Sequence, residues 1–305
     1  MLGREAYERA RAYLLEQARP LERALFRTLF EGAGRDAVLS ALASYQNDDG
    51  GFGNAIEPDF RLPDSSPMAT SEAFHALRDV EADDDLELVR RALSYLCAHY
   101  EPERPGWRDV PTSVNDFPHA PWWHRAVDSP TPAPPAWGNP DADIVAALHE
   151  HRALVSAALL EEVTSLALRQ LDTSADPLAP YVSLCYLRLA RAAPHEVRER
   201  IAARLRADAR RIIDLDPDKR EANHFQPFWL APSPDALLAD LLAPEVVLNL
   251  DAEIERQQPA GFWEPRWSWA EQDPEAWEIA RRDWRGRETL RTLRTLRAYG
   301  QIDSP

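Results

Sequence analysis

Gln46-Asn47-Asp48-Asp49-Gly50-Gly51-Phe52-Gly53-Asn54-Ala55-Ile56-Glu57-Pro58-Asp59-Phe60-Arg61-Leu62-Pro63-Asp64-Ser65-Ser66-Pro67 is the stretch on which the reading of this chain turns. An apolar-periodic helix precedes it, with Val38, Leu39, Leu42 and Tyr45 on one face, and another follows from Met68 to Val80. Asp49-Gly50-Gly51 is a turn that only glycine makes at low cost, because it needs a positive φ. Gly53 lets the backbone pass close to a neighbour. Phe52 is a large apolar side chain that so tight a turn must tuck beneath itself. Ser66 reads as an N-cap and Pro67 as the first helical residue.

The cap-plus-proline pair recurs along the chain. Ser66-Pro67, Asn139-Pro140, Asp176-Pro177, Ser233-Pro234 and Asp273-Pro274, together with Pro20, give six helix starts. Their spacing, about fifty residues, is that of a helical repeat array. Loop lengths alternate as well. The connections 47–66, 101–139, 172–176, 214–233 and 258–273 precede the proline-started helices and are mostly long; those after them are tight turns. Alternate connections of stacked hairpins lie on opposite faces, so the long loops share one face, and loops on a rigid scaffold carry function. Pro177 to Ala192 is apolar nearly all round and predicts a helix buried on every side, whereas Pro194 to Leu215 carries one apolar stripe and predicts an outer helix. Pro234–Leu242 and Pro244–Gln257 read as two helices, as do Pro274–Arg282 and Gly286–Tyr299. The expected fold is all-α: one domain over residues 1–305, a single (α/α)6 toroid of six helical hairpins, with Arg4–Arg19 as an extra N-terminal helix.

The order Gln46-x-x-Asp49-Gly50-Gly51-Phe52-Gly53, loop, Thr70-x-x-Ala73-x-x-Ala76-Leu77 resembles the repeat of squalene–hopene cyclases, other class II terpene cyclases and protein prenyltransferase β subunits. A second copy reads Gln257-Gln258-Pro259-Ala260-Gly261-Phe262-Trp263, followed by Trp267, Trp277, Ala280, Trp284, Gly286 and Thr289. The resemblance implies the α/α toroid and, as an expectation, an isoprenoid or other apolar substrate in an aromatic-lined central cavity. It does not fix a reaction. The Asp-x-Asp-Asp acid of the cyclases is missing, since Asp83-Asp84-Asp85 sits on a tight-turn connection and reads as an N-cap with first-turn acids. The zinc-ligand set of the prenyltransferases is missing too.

A formal charge of −16 excludes nucleic acid and anionic lipid as natural partners, because phosphates want a basic surface. Lys219 is the sole lysine beside many arginines, the pattern of a GC-rich bacterial genome. Cys97 and Cys185 lie in apolar helical runs and read as small buried hydrophobes. No run has signal-peptide or membrane-span length, so a cytoplasmic protein is expected. No cofactor and no metal are expected; His119 and His124, five apart, lack a third ligand.

Candidate chemistry gathers on the long loops. Asp59, Asp64 and Asp141 are the candidate catalytic acids; carboxylates clustered at one mouth push one pKa up into a general-acid range. Glu57, Asp116, His119, Trp122, Trp123, Trp137, His224, Trp229, Trp263 and Trp267 are the candidate substrate-binding residues. Indole faces suit isoprenoid carbocations, and they stack on sugars equally well. Asp143 reads, like Asp141, as a first-turn acid complementing its helix dipole. His75 reads as a satisfied core histidine. Three functions stay open: an isoprenoid-handling enzyme of the cyclase or prenyltransferase kind, a carbohydrate-active toroid using two mouth carboxylates, and a non-catalytic binding or scaffold protein.

Overall fold

The apolar periodicity is realised as helix throughout. The structure is a computed structural model, and it describes residues 1–126, 137–213 and 225–303. These residues form twelve α-helices: α1 Arg4–Glu16, α2 Pro20–Glu31, α3 Asp36–Ala43, α4 Pro67–Asp79, α5 Glu87–Ala98, α6 Asp141–Glu150, α7 Ala157–Thr173, α8 Pro180–Ala192, α9 His195–Ile212, α10 Pro227–Leu230, α11 Ala239–Glu255 and α12 Pro274–Ala298. β-Pairing among the described residues is limited to isolated bridges. The all-α expectation holds. Among the described residues no helix is long and apolar enough to cross a membrane.

The chain divides into two compact units, Arg35–Arg204 and Met1–Gly34 with Leu205–Pro305. In the first, α4 and α6 are the most enclosed helices: nine of the thirteen residues of α4 are buried, and nine of the ten of α6. α6 packs on α4, α7 and α8. In the second, α12 packs on both α1 and α2. The two ends of the chain meet there, Leu2 N–H donating to Gln301 O at 2.8 Å and Asp303 N–H to Leu2 O at 3.0 Å.

The two glycine–aromatic loops share a set of equivalent hydrogen bonds. Asn47 N–H donates to Gly51 O and Gly50 N–H to Asn47 O; Gln258 N–H donates to Phe262 O and Gly261 N–H to Gln258 O. Buried Phe52 donates its N–H to the Thr70 hydroxyl of α4 at 3.0 Å, and buried Trp263 donates its N–H to the Thr289 hydroxyl of α12 at 3.1 Å. Gln46 Nε2 bridges Gly50 O and Leu88 O of α5, as Gln257 Nε2 bridges Gly261 O and Ala6 O of α1. Gly50 and Gly261 have φ of +91° and +96°. A Cβ would lie 2.6 Å from Arg91 O of α5 at the first, and 2.4 Å from Arg9 O of α1 at the second. The repeat is therefore a device that pins a loop between the helix that follows it and a second helix, α5 for the first loop and α1 for the second. α1 holds beside the second loop the place that α5 holds beside the first, so the helix expected as an extra is integral to the second copy.

Helix boundaries depart from expectation at several prolines and one glycine. Ser66 and Asp273 cap as predicted, their side chains accepting the N–H of Ala69 and Ala276. Ser233-Pro234 instead sits in a turn closed by Ala236 N–H on Ser233 O, and α11 runs from Ala239 through Pro244 to Glu255 as one helix. α8 begins at Pro180 rather than Pro177, and it is not enclosed all round, since Tyr181 is 48% exposed. α12 is one 25-residue helix. Gly286 does not stop it: a mid-helix glycine costs only about 1 kcal/mol, and here its bare Cα faces Ala18, 3.0 Å from where a Cβ would sit.

Candidate functional site

α4 is buried except for Glu72, His75, Arg78 and Asp79. Glu72, His75 and Asp79 stand at i, i+3 and i+7, so they form one stripe along the helix. α6 contributes Asp143, whose side chain is 3% exposed, and α8 contributes Arg188, 33% exposed. His75 Nε2 lies 2.5 Å from Asp143 Oδ2, and Arg188 reaches the same oxygen at 3.2 Å. Arg78 pairs with Asp143 Oδ1 at 2.9 Å and grips Glu150 through Nε, 2.7 Å from both carboxylate oxygens. The other imidazole nitrogen, Nδ1, lies 3.2 Å from Glu72.

This arrangement sets protonation. Burial pushes the Asp143 carboxyl up, but Arg188, Arg78 and His75 together outweigh it and hold Asp143 well below the usual carboxylate range. Burial and Arg188 pull His75 down, and the carboxylates of Glu72 and Asp143 more than compensate, so its pKa is raised. Partly exposed His75 thus lies between two carboxylates, of which Asp143 is held as an anion.

The predicted site residues are dispersed. Asp59, His119 and Trp123 are brought together: Ala120 N–H donates to Asp59 O at 2.7 Å, Arg61 N–H to Pro118 O at 2.8 Å, and Phe60 meets Trp123 edge-on at 5.3 Å. This joins the 46–66 loop to the 107–126 segment. Glu57 and Asp59 are buried in the join, while Asp64, Asp116 and Trp122 are exposed. His119 stacks on exposed His124, its Nε2 3.1 Å from the latter's Nδ1. Among the described residues, no group of three or more His, Cys, Asp or Glu is placed to hold a metal ion. His224 lies outside the described residues.

Asp141 is a loop clamp. Its two oxygens accept Trp107 N–H at 2.9 Å and Gly138 N–H at 3.0 Å. Burial nevertheless pushes its pKa up to about 6 against those hydrogen bonds. A carboxyl raised in the fold binds more protons there than in the unfolded chain. Its contribution favours folding most at low pH and is lost as pH rises from about 4 through about 6, amounting to roughly 2–3 kcal/mol. Asp141→Asn should therefore flatten the fall of stability across that window, read from urea midpoints at a series of pH values. An unchanged slope contradicts the assignment.

The tryptophans are largely spent on packing. Trp107 and Trp263 are buried and donate their indole N–H to Leu96 O and Glu253 O, both at 2.7 Å. Trp267 meets Trp284 edge-on and Trp269 meets Trp277, Trp229 lies under Arg291, and half-buried Trp137 tilts against Tyr186 at 6.1 Å. The residues that sequence reasoning missed as a group are Glu72, His75, Arg78, Asp143 and Arg188. The signal for them was the polar stripe on an otherwise uncharged helix. In comparisons with protein-family models, curated proteins and solved structures, nothing matched this chain.

Proposed function

We propose that the protein is an α/α toroid that binds a hydroxyl-rich ligand of the saccharide class on the inward surface of α4, α6 and α8, and handles protons on it through His75, held between Glu72 and Asp143. One observation carries this reading: the most enclosed helices of their unit bear a charged stripe that stays partly open to solvent, His75 by 22% and Arg188 by 33% of their side chains. Buried helices do not keep such groups without a compensating role, because desolvating them is costly. A saccharide presents alternating donors and acceptors, and carboxylate, imidazole and guanidinium supply both kinds of partner. The toroid is supported by the matching loops. A ring requires the helix after the last one to be the first, and α1 stands to the Gly261 loop as α5 stands to the Gly50 loop. In that ring α1 is the outer partner of α2, and the hairpins run outer then inner.

The isoprenoid reading, which the repeat's resemblance suggests, asks for a dry wall of aromatic faces; indoles engaged in packing support it less. Thermal unfolding in the presence of neutral and acidic oligosaccharides, and separately of prenyl diphosphates, discriminates the two. A ligand at about 100 times its Kd stabilises by roughly 2.7 kcal/mol. We expect a saturable rise in Tm with an oligosaccharide. A rise with prenyl diphosphates alone rejects the saccharide reading, and no rise with either class favours the scaffold.

A further inference from the structure

Helix α5 turns one face toward the start of α7, and a cleft of about 420 Å³ lies between them. Arg90, Leu93 and Cys97 line it from α5 at i, i+3 and i+7, so it follows that helix for two turns, about 10 Å. Leu154 and Leu159 line it from the short 3-10 helix Arg152–Leu154 and the first turn of α7. The walls are thus leucine with one thiol, and Leu154 is 37% exposed. Burial pushes the Cys97 thiol up, so it is a neutral wall group and a poor nucleophile. Arg90 is the charged group of the lining. It stands at the N-terminal end of the cleft, where its Nε donates to Asp84 O at 2.8 Å and its Nη2 to Asp85 at 2.9 Å. The Asp85 side chain is 95% exposed, and an ion pair so open to water holds its partners weakly. Of the neighbouring acids, Asp83 is engaged by Arg35 and Asp84 by His151. An apolar trough with one loosely held guanidinium at its end has the form of a site for an amphiphile.

We propose that the cleft between α5 and α7 binds a small amphiphilic monocarboxylate, its carboxylate on Arg90 in place of Asp85 and its hydrocarbon chain along Leu93, Leu154, Leu159 and Cys97. Guanidinium pairs with carboxylate through two parallel N–H donors. The acids around Arg90 suit a head of one negative charge rather than two. One small anion needs one cation, not the basic surface that a membrane or a nucleic acid asks for. The site stands independently of the saccharide reading, since its residues are distinct from Glu72, His75, Asp143 and Arg188.

The test uses the full chain and octanoate, titrated calorimetrically at constant ionic strength. Saturable binding is expected, with 1-octanol about tenfold or more weaker because it lacks the charge-assisted contact. Arg90→Gln should bring octanoate down to the level of octanol and leave octanol unchanged. Ser94 is exposed and also lines the cleft, so Ser94→Trp should fill it without disturbing the core and abolish the binding of both. Wild type alone gives a second readout that needs no variant to fold. Cys97 is half-buried and Cys185 buried, so N-ethylmaleimide should modify Cys97 first, and octanoate should slow that reaction with the midpoint found calorimetrically. Absence of saturable binding, octanol as tight as octanoate, unchanged octanoate affinity in either well-folded variant, or a Cys97 rate indifferent to octanoate would each overturn the site.

Discussion

Asp143→Asn should destabilise the protein by about 3–5 kcal/mol, the usual cost of removing one partner from a buried ion cluster. The variant keeps the side-chain volume and leaves Arg78, Arg188 and His75 facing a neutral amide. The sign with pH is fixed by the depressed carboxyl. The stability it supplies is present above the unfolded pKa near 3.8 and is lost as pH falls below it. Wild type and variant should therefore differ most near neutrality and converge in acid. Adding Arg188→Ala to Asp143→Asn should recover part of the loss, since it removes one uncompensated cation, and a double-mutant cycle reads that coupling. A loss under about 1 kcal/mol would mean that the cluster is solvated and weak.

Gly50→Ala and Gly261→Ala should both cost about 3 kcal/mol or more, and nearly the same as each other. Each adds the strain of a positive φ to a collision with the backbone of a neighbouring helix, at 2.6 Å and 2.4 Å. Gly32→Ala is the matched control. Its φ is +70° with nothing within 4 Å of the new methyl, so it should lose only about 1–2 kcal/mol. Chemical denaturation of the three variants decides the matter. Gly261→Ala no worse than Gly32→Ala would break the equivalence of the two loops, and with it the role assigned to α1.

The legible part of this fold was the part written in local chemistry. Asp49-Gly50-Gly51 announces a turn, and Ser66-Pro67 and Asp273-Pro274 announce helix starts, because each depends on neighbours within one turn. What failed was the inference that every proline begins a helix and that glycine ends one. Pro244 and Gly286 sit inside α11 and α12, where packing on neighbouring helices outweighs the local penalty. The candidate site was less legible for a different reason. Asp143 and His75 are 68 positions apart and each has an unremarkable local explanation, as a first-turn acid and a core histidine. Only their meeting, with Arg188 from a third helix, distinguishes them. Asp141 and the loop tryptophans were conspicuous in the sequence because loops need anchors, and Asp141, Trp107 and Trp263 are placed as anchors.

The measurement that bears most directly on the proposed function is the Kd of an oligosaccharide that raises Tm, determined calorimetrically for wild type, Glu72→Gln, His75→Ala and Arg188→Ala. These groups are partly open to solvent, so their removal should spare the fold more than that of Asp143. The account predicts that each variant binds about tenfold or more weakly, the equivalent of at least 1.4 kcal/mol, while retaining a cooperative unfolding transition. Affinity unchanged in all three well-folded variants would place the ligand elsewhere and contradict the assignment of α4, α6 and α8 as the binding surface.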